Sequence, residues 1–92
     1  MSHKYFAVFL PMLDPEKSRM FREQHLAFLA QQREAGRLFA NGRFTDGSGG
    51  LVIYIAESMD EVTSWVQTDP YIVQGARNYD IHEWELVKGN LE

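Results

Sequence analysis

The sequence predicts a single α+β domain with the element order β-α-β-β-α-β, four antiparallel strands carrying two helices on one face. Three observations predict it. Short aromatic and β-branched runs recur at residues 5–10 (YFAVFL) and 51–56 (LVIYIA), the composition of strands. Each is followed by a helix-start signal, Asp14-Pro15 after the first and Ser58 with Glu61 after the second. The chain has 92 residues, enough for one domain over 1–92 and too few for two.

The elements follow in order. Strand 1 covers residues 5–10 and ends at Pro11. Asp14 can cap the first helix, with Pro15 at its first position and Glu16 in its first turn. This helix is expected to run unbroken to about Ala35, where Gly36 stops it. Strand 2 is expected over about residues 37–44. Residues 46–50 (DGSGG) form a flexible turn, with Asp46 as turn former, and strand 3 follows over 51–56. Ser58 and Glu61 match a capping box, and the helix behind them places Val62, Trp65 and Val66 on one side until Asp69-Pro70 interrupts it. Strand 4 is expected over residues 79–87. The two βαβ halves show no clear internal repeat. This order is the ferredoxin-like arrangement.

Composition narrows the function classes. The formal net charge is −4 with no run of Lys or Arg, which argues against nucleic acid as a partner. No stretch approaches the about 20 apolar residues of a membrane helix, and the N-terminus lacks the form of a signal peptide. Cysteine is absent, so thiolate catalysis and disulfides are excluded, and a reducing cytoplasmic location is expected. His3, His25 and His82 have no ligand spacing on one element, so no metal site is expected. No Gly-rich phosphate loop leads from a strand into a helix, and no cofactor is expected.

The strands are apolar on both sides. Phe6, Val8 and Leu10 alternate with Tyr5, Ala7 and Phe9; Leu51, Ile53 and Ile55 alternate with Val52, Tyr54 and Ala56. The helices can cover one face only. The simplest cover for the other is the sheet of a second copy, about 10 Å away, so a two-fold homodimer is expected, with Trp65 and Trp84 as core or interface anchors and His82 beside Trp84.

One residue breaks the pattern of the first helix. Phe21, His25, Phe28, Leu29 and Gln32 share a face, and His25 lies in the middle of the apolar stripe, with Arg22 on its flank. A buried imidazole needs hydrogen-bond partners. Asp69 can supply one. It continues the Val62–Trp65–Val66 face, and Pro70 biases it out of the helical region. Two readings stay open: a core histidine beside a turn aspartate, or a His–Asp pair suited to general base work.

Arg22-x-x-His25-Leu26, Gly42-x-Phe44, Asp46, the glycine at Gly50, the Ser58 cap, Asp69-Pro70-Tyr71 and Trp84 occur in the order found in the YciI-like (YCII-related) family, which the chain resembles over nearly its whole length. The resemblance implies a ferredoxin-like subunit, a dimeric α+β barrel, and an active-site pair at His25 and Asp69. Where that family often has Gly-Pro-Phe, this chain has Gly42-Arg43-Phe44, so a relative's substrate does not transfer. With His25 as base and Asp69 orienting it, Arg22, Arg43 and Tyr71 are candidate substrate-binding groups. Arg22 could stabilise a developing enolate or carboxylate, or be a solvated flank charge. These parts suit cofactor-independent lyase or isomerase chemistry on a small cyclic or aromatic metabolite. The alternative is a non-catalytic small-molecule-binding or accessory dimeric module.

Overall fold

A computed structural model describes residues 3–89. Four antiparallel strands form one sheet in the order β2-β3-β1-β4: β1 (Lys4–Pro11), β2 (Leu38–Arg43), β3 (Gly49–Ala56) and β4 (Asp80–Trp84). Apolar β1 and β3 lie in the middle, paired from Lys4 opposite Ala56 to Pro11 opposite Gly49. The shorter β2 and β4 form the edges. The fold is ferredoxin-like.

Period-two alternation sorts the strand residues. Phe6, Val8 and Leu10 of β1 and Val52, Tyr54 and Ala56 of β3 face the helices and are buried. They form one core with Phe28, Leu29, Leu38, Val62 and Val66. On the other face, Phe9 is 37% exposed, Phe39 42% and Trp84 43%. Tyr5 meets Phe39 edge-on, and Phe9 meets His82 edge-on.

The helices depart from the expected pair. The first is broken into α1 (Pro15–Met20) and α2 (Arg22–Glu34), with Phe21 at the bend (φ −105°, ψ 15°). Neither glycine nor proline lies there, so the anchors on either side set the bend. Leu13 and Asp14 donate backbone hydrogen bonds to the Ala76 carbonyl, and Ser18 is bonded to Arg77, which ties α1 to the far end of the chain. Meanwhile α2 seats Phe28 and Leu29 on the sheet. Asp14 caps α1 as expected, accepting from the amides of Glu16 and Lys17.

The second helix is likewise divided, into α3 (Met59–Val66) and the single turn α4 (Pro70–Val73). Ser58 accepts from the Glu61 amide at 3.1 Å. The Glu61 carboxylate reaches past the cap to the Glu57 amide, at 2.9 Å, so the capping box closes one residue early. Asp46 forms its expected turn by accepting from the Ser48 amide, and hydrogen bonding by the Ser48 side chain and then its backbone holds the carboxyl below the usual value. The edge strands are shorter than expected. β2 begins at Leu38 with an irregularity between Leu38 and Ala40, and β4 ends at Trp84.

Candidate functional site

His25 is buried on α2, in the second turn after the bend. Asp69 is 1% exposed and stands between α3 and α4. Pro70 holds Asp69 extended (φ −62°, ψ 129°), and its carboxylate caps α4 by accepting from the Tyr71 amide at 2.9 Å. The same oxygen, Oδ1, lies 2.8 Å from His25 Nδ1. A carboxylate only accepts, so Nδ1 carries the hydrogen and donates. In the neutral ring Nε2 then keeps its lone pair.

The bond at Nδ1 leaves Nε2 as the second ring nitrogen. It makes no hydrogen bond among the described residues. Arg77 Nε is the one fully buried side-chain polar atom without a partner among those residues. His25 Nε2 is therefore not sealed, and His25 lines a cavity of about 420 Å³ between α2, the sheet and the β2–β3 turn. Leu10, Leu29 and Val52 form apolar wall, and Gly50 forms floor.

Tyr71 stacks on the imidazole, centroids 3.9 Å apart and planes at 12°. The Arg77 guanidinium sits 4.5 Å over the Tyr71 ring. Two planar groups cannot share one face at these distances, so Tyr71 is held between imidazole and guanidinium. Arg77 is itself fixed by the Leu10 carbonyl at 3.2 Å and the Ser18 hydroxyl at 2.9 Å. Burial pulls its pKa down, and Tyr71 and Asp69 oppose this. Tyr54, on the core face of β3, has its phenol pushed up by burial and then by the Asp69 charge, so it stays protonated.

The structure thus brings His25, Asp69 and Tyr71 into contact and sets Arg22 and Arg43 on the same cavity, both exposed. Sequence reasoning missed Arg77 and Ser18. Arg77 follows the Gly75 turn, outside any periodic segment, and Ser18 reads as an ordinary polar helix residue, so neither carries a signal of its own. His82 lies apart on the open face, 3.1 Å from Asp80. Among the described residues no three His, Asp or Glu side chains gather as a metal site.

Residues 3–85 match the family described as the YCII-related domain. The chain belongs to this family. A YCII-family relative, the uncharacterized protein YjpA of Bacillus subtilis (strain 168), is 30% identical over 76 residues, covering 78% of this chain and 89% of the relative. Among solved structures, the 5-chloro-2-hydroxyhydroquinone dehydrochlorinase TftG from Burkholderia phenoliruptrix AC1100, in complex with 2,5-dihydroxybenzoquinone, superposes with a TM-score of 0.77. It shares 22% identity over 88% of this chain and 93% of its own, and at that identity it shows the fold. No helix among the described residues of this YCII-family chain is long and apolar enough to cross a membrane.

Proposed function

We propose that this chain is a cofactor-independent acid–base enzyme of lyase or isomerase type, acting on a small cyclic or aromatic compound. The observation that carries the reading is the 2.8 Å bond between His25 Nδ1 and Asp69, which leaves Nε2 as a proton acceptor on an open cavity. Nε2 takes a proton from a carbon beside a carbonyl, or from a ring hydroxyl, and the electron pair passes into the ring system. In an elimination the pair expels a leaving group such as chloride. In an isomerisation the imidazolium returns the proton at another carbon. Asp69 orients the ring and compensates the imidazolium while the proton is held. Tyr71 fixes the plane of the imidazole and closes one side of the site, and Arg22 and Arg43 bind substrate. TftG acts on a chlorinated hydroxyhydroquinone and is complexed with a dihydroxybenzoquinone, which supports a small ring compound as the substrate class here, while its own substrate does not transfer. The exposed aromatic face of the sheet supports a homodimer, and the absence of cysteine supports a cytoplasmic location.

The test is a panel of halogenated hydroquinones, hydroxyquinones and unsaturated lactones followed by proton NMR in D₂O. Release of the leaving group, isomerisation or exchange of a ring C–H is expected with the wild type. His25→Gln should lower that rate by about 10²–10⁴-fold with the fold retained by circular dichroism. Thermal stabilisation by panel members without any of these reactions would instead support a binding module, and would overturn the catalytic reading.

A further inference from the structure

Acid–base chemistry at His25 leaves the charge of the cavity unexplained. The chain has six arginines and a formal net charge of −4. Four of the six, Arg19, Arg22, Arg43 and Arg77, line the cavity beside His25, and no Asp or Glu among the described residues lines it. Arg19 is answered by Glu16 at 3.7 Å. Arg22 and Arg43 make no ion pair among the described residues. Arg77 bonds a carbonyl and a hydroxyl, both neutral, and its Nε stays without a partner among those residues. Like charges gathered around a cavity repel one another, and a bound anion relieves that repulsion.

The floor of the cavity is shaped for such a ligand. Leu10, Gly50 and Arg43 form one row across β1, β3 and β2. Gly50 has no side chain, and a Cβ there would lie 3.0 Å from the Gly42 carbonyl oxygen and 3.7 Å from an Arg77 guanidinium nitrogen. Any side chain at residue 50 would therefore press on the Gly42 carbonyl and stand against Arg77, and glycine leaves that part of the cavity floor bare.

We propose that the cavity takes an organic anion: a small ring compound whose oxyanion group is held by Arg43 and Arg22 above the Gly50 floor, with its ring reaching toward His25. A carboxylate and a phosphate ester share this chemistry, since both match guanidinium forks. The proposal rests on the catalytic reading only for which end of the ligand faces His25, because binding is measured without turnover.

Isothermal titration of the full chain with matched ligands tests it: a hydroxybenzoate, its methyl ester and a hydroxyphenyl phosphate. The acid should bind at least about tenfold tighter than the ester, and added salt should erode that advantage. Arg43→Gln and Arg22→Gln alter exposed side chains, and each should shrink the acid-over-ester ratio while leaving ester affinity in place. His25→Gln should keep the ratio even where it abolishes turnover, so this proposal and the catalytic one fail separately. Tighter binding of the phosphate than of the carboxylate would support the anion site and assign it to phosphate esters; the reverse order would assign it to ring acids. Equal affinity for acid and ester, no binding by any of the three, or a ratio untouched by both Arg substitutions would overturn the proposal.

Discussion

At the scale of single residues, the site is held by Asp69 in two capacities. It accepts from His25 Nδ1 and from the Tyr71 amide through the same oxygen, while 1% exposed. Removing either member of the His–Asp pair leaves the other buried without its partner, which costs about 3–5 kcal/mol. His25→Leu, which leaves the Asp69 carboxylate buried without the imidazole, and Asp69→Leu, which leaves the Nδ1–H and the Tyr71 amide without their acceptor, should each fall in or near that range in urea unfolding. The double variant should cost clearly less than their sum, because it leaves no orphaned charge. Strict additivity would mean that the two groups do not interact. Tyr54 gives a second expectation. Its folded pKa is raised from 10.0, so the stability it contributes is complete below pH 10 and is lost as pH rises toward the folded value. Above pH 10 the unfolded phenol ionises while the folded one stays protonated, so the wild type should lose stability relative to Tyr54→Phe by up to about 1.4 kcal/mol per pH unit. A pH-independent difference between the two proteins would show that the phenol is not shielded. His25 and Asp69 were legible in the sequence because each broke a local rule, a polar ring in an apolar stripe and an aspartate before proline. Arg77 broke none, and only the folded chain brings it over Tyr71.

At the scale of elements, strands were easier to read than helix continuity. β1 and β3 are apolar at nearly every position, so their existence follows from composition alone. The bend at Phe21 follows from contacts made by Ser18 and Leu13 with Ala76 and Arg77, all remote in sequence, and local spacing carries no trace of them. The β2–β3 turn shows how backbone and packing combine. Gly47 has φ +81° and open space around a would-be Cβ; Gly49 has φ +147°, and a Cβ there would fall 2.3 Å from the Leu10 carbonyl oxygen. Gly47→Ala should therefore cost about 1 kcal/mol, the backbone strain alone. Gly49→Ala should cost about 3 kcal/mol or more, because strain and collision with the central strand add. Urea midpoints of the two variants check this, and equal losses would show that the β1–β3 pairing yields at that end.

At the scale of the whole molecule, the question is what covers the second face of the sheet. The helices bury Phe6, Val8 and Tyr54 on one side, while Phe9, Phe39 and Trp84 on the other are each more than a third exposed. These aromatics lie on β1, β2 and β4 on one face of the sheet, with the Tyr5–Phe39 and Phe9–His82 ring contacts between strands. A four-stranded sheet meeting its own copy about 10 Å away would bury all three. The two-fold axis would repeat every contact. The expected outcome is a dimer by sedimentation equilibrium across the micromolar range. Phe39→Glu and Trp84→Glu place charge on residues that are exposed in the single chain, so the monomer should keep its strand content by circular dichroism while the dimer dissociates. The midpoint of thermal unfolding should rise with protein concentration in the wild type and not in these variants, because association stabilises the native state by mass action. A wild type that stays monomeric at the highest attainable concentration would show that the aromatic face is covered by something other than its own copy.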